Sequence, residues 1–170
     1  QTATTTYNKD KMADLMLFDG IICNSDRHCG NFGMIIDNNT NEILCPAPIF
    51  DNGFSMINYL QQRDLKNIRE VITSKKSYFG FNFDEQMDRF VRKRHIPNLK
   101  KLKTFEFKKH KEFNLPDSWL EPIQKAMQDR ESLALEFAYQ KDKKLQITKI
   151  KDINKSKQNP KTKDDNGLTL

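Results

Sequence analysis

Asp26 and Asn31 stand five residues apart on one polar stretch, and Asp51 follows twenty residues after Asn31. Carboxylates and an amide in this order suit phosphoryl transfer from a nucleotide. That chemistry needs one carboxylate to orient and deprotonate an attacking hydroxyl, and oxygen ligands to hold Mg2+ on the phosphates. The first stretch reads Asn24-Ser25-Asp26-Arg27-His28-Cys29-Gly30-Asn31, and the second Pro48-Ile49-Phe50-Asp51-Asn52-Gly53. An Asp and an Asn five residues apart carry little information alone, because both residues abound in loops. The blander alternative is that Asp26 and Asn31 cap turns and that Asp51 opens a turn with Asn52 and Gly53.

The surrounding elements make the pattern more restrictive. Met12, Leu15, Met16, Phe18 and Ile22 recur at helical spacing over residues 10–22, with Asp10 as the expected N-cap. Residues 24–31 read as a loop, 32–37 as a strand, 38–41 as a tight turn and 42–45 as the returning strand. Pro46 and Pro48 end the ladder, so Ile49, Phe50 and Asp51 are expected at the edge of that hairpin. Helices are expected over 64–73, over 84–94 with Asp84 as N-cap, and over about 117–143. Residues 99–113 admit a short helix and a loop. Residues 1–9 read as the remnant of an upstream lobe or linker, 10–145 as one domain, and 146–170 as a disordered, Lys-rich tail.

The stretch LFDGIICNSDRHCGNFGMII, followed by LCPAPIFDNGFSM, resembles the HipA-like serine/threonine kinases. Their catalytic loop has the form N-x-D-x-H-x-x-N, and their metal-binding Asp follows a Pro-containing segment. The detailed flavour is similar to the secreted, cell-translocating kinase A type, and the D-R-H-x-x-N run also resembles phosphoinositide 3- and 4-kinases. Only residues 10–57 carry specific motifs. The resemblance implies the C-terminal lobe of a protein-kinase-like fold, mainly α with a small β-hairpin. It implies Asp26 as catalytic base, Asn31 and Asp51 as Mg2+ ligands, and ATP as co-substrate with a Ser/Thr-bearing protein as acceptor. A phosphoinositide acceptor or a non-catalytic basic binding module is the alternative. His28 would orient the loop or contact phosphate, and Arg27 would bind a phosphate or pair with an acid such as Asp19. The resemblance further implies a bacterial protein, cytoplasmic or secreted into host cells.

A kinase also needs a phosphate-covering loop and a phosphate-gripping Lys. The six glycines (20, 30, 33, 53, 80 and 167) form no G-x-G-x-x-G or Walker pattern. Fewer than a dozen residues precede the first helix, so an upstream segment or a separate chain is expected to supply that half. The chain alone is then expected to bind ATP weakly or not at all.

Bulk properties narrow the class. At 170 residues, 36% hydrophobic and 31% charged, the chain suits a single domain. No apolar run approaches the roughly 18–20 residues of a membrane span, and no signal peptide is visible. Cys23, Cys29 and Cys45 form no C-x-x-C pair, so free thiols are expected rather than zinc or a disulfide framework. The net charge of +6 is uneven: residues 89–111 carry +9, 140–170 carry +5, and the remainder, which holds Asp26 and Asp51, carries −8. An acidic centre in a basic surround argues against nucleic acid and suits a metal-phosphate site. The 89–111 stretch reads as a solvated face whose Lys and Arg stems cover apolar surface, with attraction of an acidic substrate, anionic lipid or nucleic acid as its alternative.

Overall fold

Five short or medium helices, one very long helix and one hairpin make the fold of this computed structural model, which describes residues 3–158. In chain order the elements are α1 (Ala3–Ile22), β1 (Met34–Ile36), β2 (Ile43–Pro46), α2 (Met56–Tyr59), a 3-10 turn (Gln62–Asn67), α3 (Ile68–Ser74), α4 (Phe83–Phe90), a 3-10 turn (Lys93–His95), α5 (Ile96–Leu102) and α6 (Asp117–Gln158). The protein is mainly α with a two-stranded antiparallel sheet. Among the described residues, no helix is long and apolar enough to cross a membrane.

Several boundaries differ from the sequence expectation. α1 begins at Ala3 rather than Asp10, because residues 3–10 contain no Gly or Pro and a helix extends cheaply once nucleated. Asp10 therefore caps nothing, and its carbonyl accepts from Arg94 Nη2 at 2.5 Å. Asn82, not Asp84, caps α4 by accepting from the Glu85 N–H at 2.8 Å. Asp84 sits in the first turn and pairs with Arg130 at 2.9 Å. α4 stops at Phe90, and α5 starts at Ile96 with Pro97 in its first turn, where the missing N–H costs nothing. The expected helix over 64–73 is a 3-10 turn running into α3.

The largest correction concerns the tail. Residues 146–158 are helical and extend α6 to 42 residues, about 63 Å. Low hydropathy signalled the lack of a core to pack on, yet Lys, Gln and Leu still favour helix and neither Gly nor Pro occurs over residues 146–158. The remainder of the expected disordered tail, 159–170, lies outside the described residues.

Two apolar clusters hold the helices together. One joins Leu17 and Ile21 of α1 to Met87, Val91, Leu99, Ala134 and Ala138. The other gathers Cys23, Met56, Leu60, Ile68, Ile72, Phe83 and Ile123 beneath the loop that follows α1. Gly20 lets α1 and α4 touch, since a Cβ there would lie 2.5 Å from Met87 Cγ. Buried Arg130 of α6 donates from Nε to the Gly20 carbonyl at 2.8 Å, so the long helix pins the end of α1.

The hairpin is unlike the rest. Met34 pairs with Pro46, Ile35 with Cys45 and Ile36 with Ile43, with an irregularity between Ile35 and Ile36. Pro46 thus belongs to β2 rather than ending it, and Phe32 and Asp37 lie outside β1. Ile35, Ile36, Ile43 and Leu44 are all exposed, so neither face of the sheet packs on the helical body.

Candidate functional site

Cys23 leaves α1 in the left-handed region, at φ 56°, and turns the chain into the polar loop. Asn24, fully buried, anchors it: its backbone N–H donates to the Asp19 carbonyl at 3.0 Å and its Nδ2 to Asp19 Oδ1 at 3.2 Å. Its Oδ1 accepts from the Asp26 N–H at 3.1 Å. Asn31 Nδ2 donates to the Asp26 carbonyl at 2.8 Å, which closes the five-residue loop on itself. The His28 Nδ1 accepts from the Gly30 N–H at 3.0 Å, so the ring is held against its own loop.

Arg27 is the hub. It is 1% exposed, and each of its five N–H donors is used. Nε and Nη2 clasp Asp19 Oδ2 and Oδ1 at 2.8 and 2.9 Å, a bidentate pair with a carboxylate that is 0% exposed. Nη1 donates to the carbonyls of Asn31 at 2.6 Å and Phe50 at 2.5 Å. Nη2 also donates to Asn52 Oδ1 at 2.5 Å. Of the two roles open to Arg27 from the sequence, phosphate contact and pairing with Asp19, the geometry takes the second and leaves no donor for a nucleotide.

One guanidinium therefore ties α1, the 24–31 loop and the 50–52 turn together, with the carbonyls of Asn31 and Phe50 sharing its Nη1. Asp51 holds φ 51°, a left-handed conformation that Asp tolerates better than most residues, at a cost of about 1 kcal/mol. Ser25 adds a second link, donating its N–H to the Phe54 carbonyl at 3.1 Å. Asn52 was not singled out from the sequence beyond its turn with Gly53, because no local pattern tells a turn Asn from one that receives a distant Arg.

Within the 24–31 loop and the 50–52 turn, the side-chain oxygens left over are those of the candidate residues. Among the described residues, the carboxylates of half-buried Asp26 and exposed Asp51 have no hydrogen-bond or ion-pair partner, and neither does Asn31 Oδ1. No group of three or more His, Cys, Asp or Glu side chains gathers among the described residues to cage a metal. Beside Asn31 a cleft of about 440 Å³ opens between α1 and the hairpin, walled by Met12, Leu15, Phe32, Met34 and Pro48. Compared with known protein families, with curated proteins and with solved structures, the chain matches none.

Proposed function

We propose that the chain is the catalytic lobe of an ATP-dependent serine/threonine protein kinase of the HipA-like kind, the C-terminal lobe of a kinase-like fold. The observation that carries this reading is the Arg27 hub, which holds the Asp26–Asn31 loop against the Asp51 turn while leaving their ligand oxygens free. A spent cation at the centre and unspent acceptors at the rim suit a site that receives cations and donors from its substrates.

In this reading Asp26 orients the acceptor hydroxyl and takes its proton as the γ-phosphate is transferred. Asn31 Oδ1 and the Asp51 carboxylate would hold Mg2+, which would neutralise charge on the phosphates. One carboxylate and one amide fit an ion that keeps several waters and phosphate oxygens of its own, and do not fit an all-protein cage. His28 stays on the loop as a positioning group, and Arg27 acts only through the residues it holds. The cleft beside Asn31, mostly apolar with a few polar groups, suits the nucleoside of ATP. The exposed apolar hairpin, including Ile35, Ile43 and Leu44, supports a second, phosphate-gripping lobe seated on it, from an upstream segment or a separate chain.

The test joins such a lobe to this chain and follows labelled phosphate from ATP to protein and to lipid acceptors. Asp26→Ala and Asp51→Ala are each expected to lower the rate by orders of magnitude, with folding intact. Transfer that survives both substitutions ends the kinase reading.

A further inference from the structure

The turn 75–81, Lys-Lys-Ser-Tyr-Phe-Gly-Phe, lies outside every motif of the site yet touches it. Ser77 donates its N–H to the Phe81 carbonyl at 2.8 Å, and Gly80 donates to the Ser77 carbonyl at 2.9 Å. Gly80 holds φ +82°, which a side chain would strain, so the turn shape is built in. The closure leaves Tyr78 and Phe79 in solvent, 55% and 40% exposed, edge-to-face with each other at 5.6 Å. Tyr78 also meets the His28 ring edge-on at 6.0 Å, two residues from Asp26.

On its other side Asp26 follows Ser25, whose N–H holds the carbonyl of Phe54, itself 52% exposed. The free carboxylate of Asp26 is thus flanked along the chain by two residues, each tethered to an aromatic left in water. Lys75 and Lys76 stand exposed on the same turn, and no carboxylate among the described residues pairs with either. Clustered exposed aromatics beside a site mark a surface that something covers. The two ammonium groups have no carboxylate partner among the described residues, Lys75 Nζ lying over the Tyr59 ring at 5.3 Å, and they favour an acidic occupant.

Resting on the kinase reading, we propose that this turn, with Phe54, is the acceptor-docking lip, and that the acceptor is a polypeptide. Its hydroxyl residue would be flanked by a bulky apolar side chain, received by Tyr78 and Phe79, and by an acidic one, received by Lys75 and Lys76. A polyanionic inositol headgroup would leave the aromatic rings uncovered and meet only two cations.

The test measures binding of labelled Ser-centred peptides to the full chain by fluorescence anisotropy, with an aromatic or an acidic residue placed at each flanking position. Phosphatidylcholine vesicles with and without phosphorylated phosphatidylinositol serve as the lipid arm. Peptides with both an aromatic and an acidic flank are expected to bind best. Tyr78→Ala/Phe79→Ala should weaken them about tenfold with an unchanged melting curve, because both rings are exposed. Lys75→Glu/Lys76→Glu should abolish the preference for acidic flanks. Binding indifferent to both double variants, or no peptide binding at all, overturns the lip. Binding to the phosphoinositide vesicles in place of peptides overturns the polypeptide acceptor. Transfer to protein by the two-lobed enzyme with binding indifferent to the turn sinks the lip alone. Peptide binding without any transfer sinks the kinase reading and leaves the lip standing.

Discussion

Arg27→Ala is the sharpest test of how the site is held. The substitution leaves Asp19, 0% exposed, as a buried carboxylate whose remaining side-chain donor is Asn24 Nδ2 at 3.2 Å. It also removes the donors to the Asn31 and Phe50 carbonyls and to Asn52 Oδ1. Removing one partner of a buried ion pair costs about 3–5 kcal/mol, and a stranded acceptor about 1–3 kcal/mol where water cannot reach. Phe50 is 43% exposed, so water can replace the guanidinium there, and the orphaned Asp19 charge dominates. The expected loss is about 3–5 kcal/mol, a large part of the roughly 5–15 kcal/mol that keeps a domain folded. With a urea slope near 2–3 kcal/mol per molar, the unfolding midpoint should fall by about 1–2 M. Asp19→Asn added to Arg27→Ala should recover part of the loss, because the unpaired charge is gone. A midpoint shift corresponding to less than about 1 kcal/mol, or effects of the two substitutions that simply add, would refute the hub.

Gly20→Ala should destabilise the protein by about 1–2 kcal/mol although Ala is the better helix former, because its Cβ would meet Met87 Cγ at 2.5 Å in a filled core; a higher melting temperature would contradict this. Burial pushes the Cys23 thiol up to about 12, whereas Cys29 is exposed and Cys45 half-buried. A thiol reagent at pH 8 should therefore titrate two cysteines in the native protein and the third only after denaturation; three fast thiols would show that Cys23 is open to solvent. His95 accepts the Arg92 N–H on Nδ1 and meets Asp14 on Nε2, and burial holds its pKa below the ordinary 6.5 despite the Asp14 bond. Its neutral form is the one the fold favours, so its contribution is complete above pH 6.5 and is lost as pH falls from there towards the lowered folded value. Urea midpoints at pH 7.5 and 5.5 should differ more in the native sequence than in His95→Asn, and equal differences would remove His95 from the pH response.

What the sequence determined by itself was local. The order of helix, polar loop, hairpin and turn follows from periodicity and from Gly, Pro and Asn placement, and those signals act within a few residues. Asp26, Asn31 and Asp51 were legible as candidates for the same reason, since their spacing lies within the loop and across one short hairpin. Boundaries failed where local signs compete: Asp10 and Asp84 look like caps, yet the chain around them was already helical or capped by Asn82. The tail over 146–158 differs because polarity signals only the lack of a buried face, whereas good helix formers without Gly or Pro can continue a helix already begun.

Only the tertiary structure decided what each polar group is for. Arg27 reaches Asp19 eight residues back and Asn52 twenty-five residues ahead, and Arg130 meets the Gly20 carbonyl across 110 residues. Nothing in a local pattern separates an Arg that will bind phosphate from one whose donors are consumed by its own chain. The count of donors against acceptors separates them, and that count exists only once the backbone has closed. By the same closure Tyr78 comes to rest on His28, and the loop with its free oxygens acquires an aromatic neighbour that the linear order keeps fifty residues away.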